Sequence, residues 1–297
     1  RYDLSGPYRL AIIAAPHLGA SGAANSASVE GNSLHASVLG QAVCIAASVA
    51  MKDMSAGFVG ASDGWQDLQR HGRLTYAFQR ASHGNVALTA SFAEPRGVIA
   101  VGFAPAPTGA RLLAVSSIAQ GYDSIRATFL DRWQRWGGHL DLPAPSAALS
   151  EIAQTSATVL KTHEDRMFAG GIVASMSTPW GNTTDALGGY HLVWPRDAAM
   201  AAFAFLAAGE PHSARGILAH LIAAQQPDGH WAQNYFPNGN PYWTGVQLDE
   251  TAFPVLLAAK GHEAGTPAPD GVPDMARRAV AWMARLGPAS DQDRWEE

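Results

Sequence analysis

The period of the hydrophobic pattern changes once along this chain, and that change limits the fold more than any single motif does. Up to about residue 117 the apolar residues come in short runs: Tyr8-Arg9-Leu10-Ala11-Ile12-Ile13, Leu74-Thr75-Tyr76-Ala77-Phe78, Val86 to Phe92, and Val98 to Phe103. The run Val86-Ala87-Leu88-Thr89-Ala90-Ser91-Phe92 alternates with period two, as a half-buried strand does. Turn residues punctuate the runs at His83-Gly84-Asn85, Glu94-Pro95-Arg96-Gly97 and Pro105-Ala106-Pro107-Thr108-Gly109. Short strands at such spacing predict an antiparallel β-sandwich. The polar, Gly-rich stretch from Gly60 to Leu68 is read as a loop or surface turn.

From Ile118 the period becomes helical. Tyr122, Ile125, Phe129 and Trp133 recur three or four residues apart and form one stripe. Gly137-Gly138 ends that helix, and Leu142-Pro143-Ala144-Pro145-Ser146 is a stiff linker. Further helices are predicted from Ser146 or Ala147 to about Asp165, with Leu149, Ile152, Ser156, Val159 and Leu160 on one face, and over 197–208, 211–226, 249–260 and 273–286. Pro211 suits a helix start because its missing N–H would be an orphan there. Gly170 to Ser175 reads as extended, Trp180-Gly181-Asn182 as a loop, and Trp231 to Thr244 as a long aromatic loop. The expected division is a β-sandwich over 1–117, a helical linker over 118–145 and stacked helical hairpins over 146–297.

Composition narrows the function classes. With 47% apolar and 15% charged residues the chain is globular, and 297 residues suffice for two domains. A net charge of −5 argues against a nucleic-acid partner, which would want a basic face. The single Cys44 supplies neither an intramolecular disulfide nor a thiolate cluster. No apolar run reaches membrane-spanning length. Nine tryptophans are the material of large cores and of carbohydrate platforms alike.

The densest chemistry lies in Gly188-Gly189-Tyr190-His191-Leu192-Val193-Trp194-Pro195-Arg196-Asp197. Arg196 offers a planar fork of donors beside the acceptors of Asp197, and Tyr190 and Trp194 offer flat faces for a sugar ring. The bland reading is a helix start with a structural ion pair and two core aromatics. Two further stretches also place an aromatic close to carboxylates at a loop–helix junction: Trp243-Thr244-Gly245-Val246-Gln247-Leu248-Asp249 and Asp293-Arg294-Trp295-Glu296-Glu297.

Together, in this order and on this architecture, the three motifs resemble glycoside hydrolase family 15, the glucoamylases and glucodextranases, and its bacterial branch in particular. The resemblance covers the whole chain and implies an N-terminal β-sandwich, a helical linker and the first half of an (α/α)6 barrel. It implies that Arg196 and Asp197 hydrogen-bond the non-reducing terminal glucose. Tyr190 is then the tyrosine beside the developing oxocarbenium ion, and Trp194 part of the pocket wall. Trp243, four residues before Gln247, packs on the sugar and on the acid, and Gln247, Asp249 and Trp295 join the substrate-binding set. Glu296 is the general acid, and Glu297 binds the next sugar.

The chemistry of Trp295-Glu296-Glu297 supports that assignment separately. Burial against a tryptophan and a second carboxylate alongside both disfavour the ionised form, as a proton donor requires. The bland alternative is a helix start whose acids suit the dipole. Glu250 is the second-choice acid; at helical spacing it shares a face with Phe253, Pro254 and Leu257 and is ranked as a pocket or helix-capping residue. His163-Glu164-Asp165 is read as a solvated face and not as a metal site.

The resulting expectation is an inverting, exo-acting α-glucosidase that releases β-glucose from α-glucans or maltooligosaccharides, with α-1,4 linkages first. Alternatives are α-1,6 cleavage of dextran, trehalose cleavage, another (α/α)6 enzyme such as a phosphorylase or lyase, and a non-catalytic carbohydrate-binding protein. No cofactor is required; the resemblance leaves room for Ca²⁺ in the sandwich, with no ligand spacing that shows it. A monomer is expected, secreted or periplasmic more than cytoplasmic. The chain opens on Arg1 without an initiator Met and closes on Glu297, so it is read as a fragment cut at both ends. Inversion needs a second carboxylate as base, which lies far downstream in the family, and the fragment by itself is expected to be inactive.

Overall fold

A computed structural model describes residues 1–142, 146–176 and 190–286. In chain order the first part contains β1 (Tyr2–Asp3), β2 (Ala11–Ala14), β3 (Asn25–Glu30), β4 (Ser33–Val38), β5 (Gln41–Ala47), β6 (Met51–Phe58), α1 (Gly64–His71), β7 (Arg80–Gly84), β8 (Val86–Phe92), β9 (Arg96–Gly97), β10 (Ile99–Ala104), α2 (Pro107–Gln120) and α3 (Tyr122–Gly137). The second part contains α4 (Ala147–Thr162), α5 (Pro195–Ala207), α6 (Pro211–Ala224), β11 (Asn234–Tyr235), β12 (Pro241–Trp243), α7 (Leu248–Glu263) and α8 (Val272–Leu286). Two compact units divide within α3, between Arg132 and Trp133.

The first unit is the expected antiparallel sandwich. One sheet has the order β10-β5-β4-β3-β7 and the other β2-β8-β6, with β1 pairing β9 beside them. Leu34, Val43 and Ile45 of the larger sheet and Met51, Val86, Leu88, Ala90 and Phe92 of the smaller one share a buried core. The alternate residues of β5, namely Ala42, Cys44 and Ala46, face the other way and meet Ala110 and Ala114 of α2. β5 is therefore buried on both faces. Gly102 on β10 permits this close approach, because a Cβ there would run into the Ala110 carbonyl oxygen.

Four local expectations are corrected here. The stretch 60–68 is no simple loop: Asp63 caps α1 by accepting from Trp65 N at 2.8 Å and Gln66 N at 2.9 Å, and Gly72 ends it in the left-handed region at φ 69°. The segment read as a turn at 105–109 instead opens α2, with Pro107 in the first helical turn, so helix begins earlier than Ile118. Gly121, at φ 88°, then separates α2 from α3. All seven residues of β8 are buried although its sequence alternates, because the N-terminus of α1 sits on its outer side, with Gly64 N donating to Thr89 Oγ1 at 3.1 Å. Residues 74–78 form no ladder. They are held by the buried carboxylate of Asp67, which accepts from Thr75 N, Thr75 Oγ1 and Tyr76 N, and by Ser55 Oγ, which accepts from Phe78 N.

In the second unit α5 packs on α6 and α7, and α7 on α8. Ala198, Ala199, Ala201 and Ala202 give α5 a low surface on which Ile217, Leu218, Leu221 and Leu257 close. Trp231 is wholly buried, and its indole N–H donates to the Leu221 carbonyl at 2.8 Å. The loop over 164–172 touches α6 at Gly170, whose φ is 80° and where any Cβ would strike the Gly216 backbone. The aromatic stretch 231–244 folds into a small hairpin, β11 with β12. Among the described residues no helix is long and apolar enough to cross a membrane.

Candidate active site

Three chain segments converge at the N-termini of α5 and α7. Residues 190–194 run extended, with Ala174 N donating to Leu192 O and Ser175 N to Tyr190 O on one side. On the other side Val193 and Tyr235 exchange both backbone hydrogen bonds, at 2.8 and 3.0 Å. Pro195 then starts α5, so that Arg196 and Asp197 fall in its first turn. Gln247 is the cap residue of α7, and Asp249 and Glu250 occupy that helix's first turn. Both helix ends carry positive dipole charge, which suits the three carboxylates gathered there.

Arg196 lies at the centre. Its Nη1 donates to Asp249 Oδ2 at 2.7 Å, while its Nη2 is 3.5 Å from Asp197 Oδ2. Of these two contacts the shorter is to the carboxylate 53 residues away and not to the sequence neighbour, and the Asp197 carboxylate is half exposed. Asp249 is itself fixed, because its Oδ1 accepts from Glu250 N at 2.9 Å.

Glu250 lies beneath them and is fully buried. Its Oε2 accepts from the backbone N–H of Arg196 at 2.7 Å, and its Oε1 is 3.5 Å from Arg196 Nη1, in ion-pair range but without hydrogen-bond geometry. Burial pushes its carboxyl up to about 8. The Arg196 amide and guanidinium pull it back only in part, and the charges of Asp249 and Asp197 add to the rise. Tyr235, buried under the same helix ends, has its hydroxyl raised by burial and then by the Glu250 charge. A proton donor to a glycosidic oxygen must face the sugar, and Glu250 has no exposed surface. Glu250 thus joins the start of α7 to the start of α5.

The aromatic side chains form a connected rim. Tyr190 and Trp194 lie with ring centroids 5.7 Å apart, and Trp194 meets Trp243 edge-on at 6.0 Å. Tyr242 adjoins Trp243 at 5.8 Å. Trp194 is only 6% exposed, whereas Tyr190 is 45% and Trp243 44% exposed, so the open faces belong to the latter two. Asn234 Oδ1 accepts from the backbone N–H of Trp243 at 3.0 Å and Asn234 is itself wholly buried, which fixes the main chain at Trp243. The sequence reading did not single out Asn234 or Tyr235; both lay inside what looked like a loop, and the signal was the short hairpin around Pro237-Asn238-Gly239-Asn240.

The structure thus brings together Tyr190, Trp194, Arg196, Asp197, Trp243, Gln247, Asp249 and Glu250. Trp295, Glu296 and Glu297 lie outside the described residues, as do Gly188 and Gly189 and the loop at Trp180-Gly181-Asn182. The His163-Glu164-Asp165 group serves local structure. His163 Nδ1 meets Val159 O at 2.7 Å, Glu164 pairs with Lys161, and Asp165 accepts from Met167 N and Phe168 N. Among the described residues no three His, Cys, Asp or Glu side chains cluster as a metal would need.

Known proteins resemble this chain over most of its length. Residues 148–228 and 223–297 match the family model described as glycosyl hydrolases family 15, and residues 2–138 match glucodextranase, domain N. The chain belongs to glycoside hydrolase family 15. Among curated members, a glucoamylase of Clostridium sp. (strain G0005) is 30% identical over 258 residues, which cover 85% of this chain and 36% of that protein. Among solved structures, a bacterial glucoamylase complexed with acarbose matches with a TM-score of 0.83 at 27% identity, over 97% of this chain and 43% of that one. A family 92 α-mannosidase from Bacteroides thetaiotaomicron shares the fold alone, at 15% identity and a TM-score of 0.50 over 92% of this chain and 36% of that one. The chain therefore holds the β-sandwich and part of the (α/α)6 barrel of a family 15 member, and spans 36–43% of the length of these relatives.

Proposed function

We propose that the complete protein is an inverting, exo-acting α-glucosidase, and that Arg196, Asp197 and Asp249 form the floor of its site for the terminal sugar. The observation that carries this reading is the convergence of the first turns of α5 and α7. It sets a guanidinium between carboxylates next to Trp194, the cap residue of α5, whose ring meets the partly exposed rings of Tyr190 and Trp243. Such a floor offers fixed donors and acceptors to sugar hydroxyls, and the rings offer apolar faces to the pyranose. An oligosaccharide inhibitor, acarbose, occupies the related bacterial glucoamylase, which supports a glucoside of that size here.

In the proposed mechanism Glu296 gives its proton to the glycosidic oxygen as the C1–O bond breaks, and Tyr190 lies beside the oxocarbenium-like sugar. A water molecule attacks C1 from the opposite face and loses its proton to a carboxylate base, about 6.5–9.5 Å from the acid. No residue of 1–297 is assigned as that base. Glu297 and Gln247 contribute to binding, Trp243 packs on the sugar and the acid, and Trp194 backs the rim from below.

The α-1,4 bond is the first choice, in line with the similar glucoamylase. The match of residues 2–138 to a glucodextranase domain supports α-1,6 as the second reading. Full-length protein incubated with maltose and with isomaltose, followed by proton NMR, decides both points. β-Glucose as the first product is expected, with faster turnover of maltose. An initial excess of α-glucose over the anomeric mixture that the released reducing-end glucose carries would exclude inversion, and faster turnover of isomaltose would exclude the α-1,4 preference.

A further inference from the structure

We propose that Glu250 is a positioning residue of the sugar site, holding the first turn of α5 so that the Arg196 guanidinium stays on Asp249. Two adjacent carboxylates of α7 grip the two ends of one residue: Asp249 takes the side-chain head at 2.7 Å, and Glu250 takes the backbone N–H at 2.7 Å. The arginine is thereby fixed at its main chain and at its tip. The distance from Arg196 N to its head is spanned by the same helix end that carries both acceptors, so a small rotation of α5 against α7 would break both bonds together. Glu250 is enclosed, so it acts through Arg196. This inference rests on the reading of Arg196 as part of the sugar floor.

Among the described residues, the groups that face Glu250 are Arg196 and Asp197 from α5, Asp249 from α7 itself and the Tyr235 hydroxyl from β11. His220 of α6 stacks on Tyr235 at 5.9 Å. A neutral amide would satisfy the Arg196 N–H equally well, so a purely structural cap does not require a carboxyl. A carboxyl adds a change of charge next to Arg196. Below about pH 8 it is neutral, and the guanidinium is left to Asp249, Asp197 and the sugar. Above that pH a buried anion 3.5 Å from Nη1 competes for it.

The test compares full-length wild type with Glu250→Gln and Glu250→Ala, measuring kcat and KM on maltose from pH 5 to 9, thermal unfolding, and calorimetric affinity for maltotriose. Wild type is expected to lose kcat/KM near pH 8, whereas Glu250→Gln is expected to keep the melting point, to keep the pH 6 activity within about threefold, and to lack that fall. Glu250→Ala is expected to raise KM at least about tenfold, with affinity for maltotriose falling in parallel. If the alanine variant fails to fold, the pH profile of the glutamine variant decides by itself. A basic limb identical in wild type and Glu250→Gln, or a folded alanine variant with lowered melting point but unchanged KM, would overturn the proposal. If wild type neither cleaves maltose or isomaltose nor binds maltotriose, the proposed function itself fails, a result distinct from any difference between variants.

Discussion

Replacing Arg196 by methionine removes the guanidinium but keeps most of the apolar stem, and the structure sets how much that should cost. The bond to Asp249 joins two side chains that are each about one-fifth exposed, so solvent screens it only in part. A hydrogen bond to a charged group at such a site contributes about 1.5–3 kcal/mol. Stranding a buried ionised partner would cost about 3–5 kcal/mol. Glu250 escapes that larger penalty at pH 6 because burial has already raised its carboxyl to about 8 and it is neutral there. The expected loss for Arg196→Met at pH 6 is therefore about 2–3 kcal/mol. A carboxyl raised above its unfolded value contributes stability that is complete below about 4.5 and is lost as pH rises through about 8. Without Arg196 the proton is held to a still higher pH, so the cost of the substitution should grow between pH 8 and 9. Hydrogen exchange of full-length protein, read on peptides covering 193–205 and 246–257, measures the local opening free energy without assuming that the two units unfold together. A cost below 0.5 kcal/mol at both pH values would show that the ion pair is idle. A cost of 5 kcal/mol or more already present at pH 6 would show that Glu250 is ionised there, contrary to the argument above.

Two further outcomes follow from other parts of the structure. Burial pushes the Asp67 carboxyl up, but the hydrogen bonds from Thr75, Tyr76 and His71 outweigh it and hold the group at about 2. Its contribution is therefore present above about pH 3.8 and lost as pH falls through 2. Asp67→Asn can keep its oxygen on Thr75 N and Tyr76 N, which share Oδ2, only by turning its NH2 toward Thr75 Oγ1 and His71 Nδ1, and should cost about 1–3 kcal/mol, seen as faster hydrogen exchange over 63–78 at pH 6. Gly170→Ala forces a Cβ into the Gly216 backbone at a left-handed φ, and should lower the first unfolding transition of the second unit by at least about 5 °C in calorimetry. An unchanged transition would mean that the 164–172 loop is not pinned to α6.

Much of the architecture is legible in the chain because it rests on local rules. The change from period two to the helical period separates sheet from helix, and Ser146 and Pro211 open α4 and α6 where their chemistry allows. Asp63 and Gly72 were equally plain start and stop signals for α1, but the polar, Gly-rich setting of that short helix hid its period. The α2 helix escaped notice because Pro105-Ala106-Pro107 resembles turn chemistry, and a proline at a helix start looks the same as one in a turn until the following residues pack. Its alanines pack only because β5 is alanine-rich on the face that meets them.

The site divides along the same line. Spacing along the chain groups Tyr190, Trp194, Arg196 and Asp197, and the resemblance to family 15 adds Trp243, Gln247 and Asp249 to the set. Which carboxylate Arg196 grips, and which group holds its amide, depended on how α5 meets α7. Asp197 is adjacent in the chain, yet successive residues on a helix point in different directions, so it presents its oxygen at 3.5 Å while Asp249 reaches 2.7 Å from another helix. Glu250 reads in the sequence as one more acid beside another. Only packing buries it completely, sets its oxygen on the Arg196 N–H and raises its carboxyl. Periodicity and spacing act along the chain; charge state and partner choice arise from the surroundings that the fold assembles.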